Sequence, residues 1–188
     1  MPNATKQALE ASLKRMMLKK PLDKITIRDI TEDCGISRMT FYYHFQDIYD
    51  LIDWICQEEG ERAFQGRKGY NTWQEGFIAL CHAVIENQAF ILGVYRSVQR
   101  EQVENYLGRV VYRLLLDVVE ELSQPYSLSE QDRAYITNFY KHAFVGVMLD
   151  WVRDGMQAPP EEVVGRVSLM TRGQLLLAIQ NLAAHPLP

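Results

Sequence analysis

A chain of 188 residues, 47% apolar and 23% charged, can bury one sizeable core or a small domain joined to a larger one, and it has too much apolar content for a disordered chain. The net charge of −4 argues against nucleic acid as a whole, but residues 1 to 50 hold eight Lys or Arg against seven Asp or Glu, and the remainder twelve against seventeen. The front is the more basic part. Cys34, Cys56 and Cys81 are odd in number and each lies in an apolar helical pattern, which reads as buried thiols rather than a disulfide.

Apolar residues recur at three-to-four-residue spacing along nearly the whole chain, with no run of strict alternation, so the predicted fold class is all-α. Leu9, Leu13 and Met16 or Met17 line a first helix that Pro21 ends. Ile25, Ile27, Ile30, Cys34 and Ile36 carry the core through two short helices, and Ile48, Leu51, Ile52 and Ile55 begin a longer one. Gly66 and Gly69 mark a break; later breaks at SQPYS and GMQAPP leave helical stretches near 72 to 100, 104 to 122, 129 to 154 and 160 to 182, then a frayed tail AAHPLP. The division expected is a domain of residues 1–50 and a second of residues 51–188. The apolar stretches Phe90 to Tyr95 and Val110 to Val119 fall far short of the ~20 residues of a membrane span. MPNATKQALE has no basic segment followed by an apolar one, so a cytoplasmic chain without a membrane partner is expected.

Residues 26 to 45, TIRDITEDCGISRMTFYYHF, are the most informative. Thr26 with Asp29 three places on is a capping box that starts a helix. Gly35 suits the left-handed residue at its end, and Ser37 is an N-cap for the next helix. In that helix Phe41 and Phe45 face the core with Ile30 and Ile36, which turns Arg38, Met39, Thr40, Tyr42, Tyr43 and His44 partly or wholly outward. A cation, hydroxyls and apolar groups on one exposed helix are the side chains a major groove accepts.

The stretch KITIRDITEDCGISRMTFYYHFQDIYDLI resembles the DNA-binding domain of the tetracycline-repressor (TetR/AcrR) family, in register from about residue 5 to residue 55. The resemblance implies a three-helix helix-turn-helix domain joined to a helical dimerisation and ligand domain, with double-stranded operator DNA as partner. It puts Thr26, Thr40, Tyr42 and His44 at or near phosphates and Arg38, Met39 and Tyr43 at bases, with Arg28 and Ser37 in the same surface. One departure stands out: three residues after Phe45 the family usually has a lysine, and here the residue is Ile48, so Lys24, Arg28 or another residue must supply that phosphate contact or it is absent. The later run FYKHAFVG to Trp151-Val152 looks like the branch that includes regulators of dihydroxyacetone-kinase operons, some of which work through protein partners or as activators.

The helix near 129 to 154 is apolar on more than one face, which predicts burial against its own core and against a second subunit. The candidate homodimer residues are Phe144, Trp151, Val163, Val167, Met170 and Leu177. Trp73, Phe77, Cys81, Phe90, Tyr95, Tyr112, Phe139, Tyr140 and Met148 are candidates for lining an effector cavity, the effector being a small molecule or, in its place, a protein co-regulator. His82 and Glu86 have no third ligand at a suitable spacing, so no metal and no cofactor is expected. There is no glycine-rich phosphate loop, nucleophile elbow or carboxylate pair, and an enzyme is not expected. The competing reading is a helical dimer that binds a small molecule or protein and no longer reads DNA.

Overall fold

The computed structural model describes residues 2–66, 69–97 and 100–185. Among these residues the regular structure is helical: α1 (Pro2–Met17), a 3-10 turn (Leu22–Lys24), α2 (Ile27–Cys34), α3 (Arg38–His44), α4 (Ile48–Phe64), α5 (Trp73–Glu86), α6 (Gln88–Ser97), α7 (Arg100–Ser123), α8 (Glu130–Arg153), α9 (Pro160–Thr171) and α10 (Gln174–Ala184). The all-α expectation holds. Among the described residues no single helix is long and apolar enough to cross a membrane.

Two compact units result, Met1–Glu58 with Glu86–Tyr106, and Glu59–Ile85 with Leu107–Pro188. The division drawn at residue 50 from sequence thus falls within α4, and the first unit also takes in α6. Its core gathers Leu9 and Leu13 of α1, Ile30 of α2, Phe41 of α3, Leu51, Ile52 and Ile55 of α4 and Phe90 and Val94 of α6. In the second unit Phe77, Cys81, Val111, Leu114, Val119, Met148 and Ile179 are buried. There α4 and α7 approach closely at a glycine: a β-carbon on Gly60 would stand 2.5 Å from Val110 Cγ1.

Two expected helices are each two. The stretch 72 to 100 is interrupted at Asn87, and residues 98 and 99 lie outside those described. The stretch 160 to 182 breaks at Arg172 and Gly173, where Gly173 takes φ +73°, a backbone conformation that only glycine adopts without strain. The break expected at Gly66 is a left-handed turn, with 67 and 68 outside the described residues. Of the tail, α10 runs to Ala184, and 186 to 188 are likewise outside.

The start of α2 is the reciprocal cap its sequence predicts. Thr26 Oγ1 accepts from Asp29 N at 3.2 Å, and the Asp29 carboxylate accepts from Thr26 N at 2.9 Å and from Lys20 Nζ at 2.8 Å. Lys20 first, then the Thr26 backbone and hydroxyl, lower the Asp29 pKa from 3.8 to about 2. A carboxyl depressed on folding stabilises the folded state fully above its unfolded value near 3.8, and that contribution is lost as pH falls through about 2. Asp29→Asn is therefore expected to lower the thermal midpoint at neutral pH and to flatten its fall between pH 4 and 2, measured by circular dichroism.

Candidate nucleic-acid interface

Gly35 closes α2 at φ +66°, and its N–H donates to the carbonyls of Glu32 and Thr31. Two residues later Ser37 Oγ accepts from Thr40 N at 3.1 Å and starts α3. The turn is thus fixed by one left-handed glycine and one hydroxyl cap, both legible in the sequence. Phe41 and Phe45 are buried and pack ring to ring at 5.9 Å, anchoring α3 on the unit's core. The rest of α3 faces outward: Met39 is 82% exposed, Tyr43 83% and Tyr42 58%, with Arg38 also exposed and Thr40 and His44 half-buried.

The polar groups differ in how free they are. Arg38 makes no ion pair among the described residues, whereas Arg28 is tied to Glu32 at 2.6 Å one turn along α2 and its pKa is raised by that bond. Thr26's hydroxyl is engaged in the cap. Ser37 and Thr40 hydroxyls lie 2.9 Å apart, and with Ser37 as donor the Thr40 proton remains available to a phosphate. His44 packs edge-on to Tyr43 with ring centroids 5.0 Å apart.

Ile48 is half-buried and packed against the first unit's core, so the place where the family usually has a lysine has been given to packing. A cation absent from the sequence reading sits close by. Lys6 Nζ lies 5.2 Å from the Phe45 ring centroid and 5.3 Å from that of Trp54, putting a positive charge beside the end of α3. Lys6 is nearly forty residues from Phe45, so no helical spacing could have shown it.

The regulatory candidates divide more sharply. In the second unit Trp73 and Tyr140 line a cleft of about 60 Å³ with Tyr70, Phe144, Ser168 and Arg172. Phe144, a dimer candidate from sequence, is buried within its own chain, with ring centroids 5.5 Å from Trp73 and 5.1 Å from Phe77. Phe77, Cys81 and Met148 are plain core, and burial pushes the Cys81 thiol up to about 12. Tyr112 is half-buried away from the cleft. Phe90 and Tyr95 belong to the first unit, and Phe139 is exposed, so none of these three lines the cleft.

Of the dimer candidates, Trp151 and Val167 are buried within one chain, Trp151 donating its indole N–H to Ala158 O at 2.8 Å; Val163 is half-buried. Met170 and Leu177 are exposed. The open face of α8 is a different stripe: Tyr135, 71% exposed, Phe139, 67% exposed, Ala143 and Gly146, where an added β-carbon would meet nothing. Phe139 and Trp151 are twelve helical residues apart and point roughly 120° away from each other, so the buried Trp151 lies off this exposed stripe. Among the described residues no group of three or more His, Cys, Asp or Glu could hold a metal ion.

A capped helix-turn-helix with an exposed second helix is the reading head of a DNA-binding regulator. Residues 11–54 match the family described as bacterial regulatory proteins, tetR family, and residues 71–173 match a transcriptional regulator C-terminal region. The chain belongs to the tetracycline-repressor family and is a DNA-binding transcriptional regulator. It is similar to the HTH-type dhaKLM operon transcriptional activator DhaS of Lactococcus lactis subsp. lactis (strain IL1403), 24% identical over an alignment of 149 residues, with 76% of this chain and 76% of that one covered. A solved structure titled dihydroxyacetone kinase operon activator DhaS superposes with TM-score 0.67 at 21% identity, covering 94% of this chain and 97% of that one, and shows the shared fold.

Proposed function

We propose that the chain acts as a homodimer on a two-part operator and that its C-terminal half couples a small molecule or a protein partner to operator occupancy. The observation that carries the dimer is the exposed aromatic stripe Tyr135–Phe139 on α8, continued by Ala143 and Gly146, with Leu177 exposed on α10, which packs against α8. Large apolar side chains grouped on one helix face mark an interface more than a solvated surface. A second copy also supplies the second reading head that a half-site reader needs, about 34 Å or one helical turn of DNA away. Sedimentation at micromolar concentration tests this: a dimer is expected, and a monomer would overturn it.

Control by a ligand requires that it favour one separation of the two reading heads over another. The cleft of about 60 Å³ has room for only a few waters or a very small effector, against the ~300–1,000 Å³ of a drug-sized site. Leu169 and Met170, exposed side by side on α9, favour a protein partner as the second reading. A metabolite that raises the thermal midpoint and also changes operator affinity supports the small effector. Loss of regulation in cells on changing Leu169 and Met170 to Ser, with DNA binding intact in vitro, supports the partner. The relatives are named activators, which supports activation as the outcome, readable in a reporter fusion on deletion of the gene.

Within the reading head, Tyr42→Ala or Thr40→Ala is expected to weaken specific and random duplexes about equally, since phosphate contacts carry no sequence information. Arg38→Ala should instead cost about 1–3 kcal/mol and relax preference at one position of each half-site. Titration of each variant against both duplexes distinguishes the two behaviours.

A further inference from the structure

We infer that the centre of the recognition surface reads thymine through its C5 methyl group, by way of Met39 and Tyr43, so that the preferred half-site contains A·T pairs recognised on the thymine side. This rests on the chain being an operator-binding regulator and concerns the chemistry of what it reads. Successive helix residues turn by ~100°, which places Met39 and Tyr43 roughly 140° to 180° around α3 from the mean direction of Phe41 and Phe45. Those two phenylalanines are buried, and Met39 and Tyr43 are the most exposed large apolar side chains described in the chain. They therefore point most directly away from the domain, where the floor of the groove lies when α3 enters it. Tyr42 lies toward one rim of the helix and Thr40 and His44 toward the other, the places from which the phosphate rails are reached.

The chemistry at the centre is unusual for a base reader. Residues 38 to 44 contain no Asn or Gln to grip adenine and no Asp or Glu to accept from cytosine N4. Arg38, unpaired among the described residues, is the single guanidinium there and suits guanine O6 and N7. A thioether and an aromatic ring offer the groove carbon and sulfur surface. The one base-edge group in the major groove that rewards such surface is the thymine methyl. Left without that contact, two large apolar side chains would remain in water beside polar base edges.

Full-length protein is used to select duplexes from a random pool, and each thymine of the selected half-site is then replaced singly by deoxyuridine. Deoxyuridine keeps the pairing face and the O4 acceptor and removes only the methyl. At one or two positions per half-site the wild type is expected to lose about 3- to 10-fold in affinity, the size of one or two buried methyl contacts. Met39→Ala, at an exposed site that leaves folding intact by thermal melting, should bind the thymine duplex more weakly and no longer distinguish thymine from deoxyuridine at one of those positions. Wild-type binding unchanged by deoxyuridine at every position, or Met39→Ala with undiminished sensitivity everywhere alongside an unaltered Tyr43→Ala, would overturn methyl readout while leaving operator binding in place. Enrichment of no sequence at all would overturn both.

Discussion

Phe139→Glu should give a folded monomer whose operator affinity has fallen by about 100-fold or more. Phe139 and Tyr135 stand one turn apart on the open side of α8, and neither has a place in its own chain's core. An aromatic anchor at the centre of an interface is worth about 2 kcal/mol or more, and two-fold symmetry counts each substitution twice. Roughly 4 kcal/mol corresponds to about 1,000-fold in dimer dissociation. The operator complex weakens with it, because a single reading head keeps only half of the base and phosphate contacts. Sedimentation, operator titration and circular dichroism on the same preparation check the three parts of this result. A variant that stays dimeric at wild-type affinity would move the interface off this face.

Trp151→Ala should do something different: it should destabilise the second unit rather than split a dimer. Trp151 is 5% exposed, and its indole N–H holds the carbonyl of Ala158 just beyond the end of α8. Truncating a buried tryptophan costs about 3–5 kcal/mol, and here it also orphans a carbonyl acceptor. For a chain of this length the thermal midpoint should fall by on the order of 10 °C. A stable monomer with an unchanged midpoint would instead return Trp151 to the dimer interface.

The contrast between Phe139 and Trp151 also shows where sequence stops being informative. Thr26 with Asp29, Gly35 and Ser37 were legible because caps and left-handed turns are chemistry between residues a few positions apart. The outward set on α3 followed from Phe41 and Phe45 for the same reason. On α8, however, Tyr135, Phe139, Phe144, Met148 and Trp151 are all large and apolar, and spacing cannot say which stripe meets the chain's own core. Phe90 and Tyr95 were grouped with the effector candidates although α6 packs in the first unit, a return of the chain that no local pattern records. The breaks at Asn87 and Gly173 were passed over because apolar spacing continues across them, although Gly173 was itself a signal of a helix end. Lys6 was missed because its partners, Phe45 and Trp54, are brought to it only by the tertiary fold.

The most direct measurement is titration of the full-length protein with a duplex it has selected, followed by stoichiometry and by the dependence of affinity on salt. A dimeric operator reader binds as two chains per duplex, loses affinity steeply as salt rises from about 50 to 200 mM, and discriminates its site from random DNA by about 10³-fold or more. Binding of one chain per duplex would contradict the dimeric reading, and equal affinity for selected and random DNA would contradict sequence-specific recognition by α3.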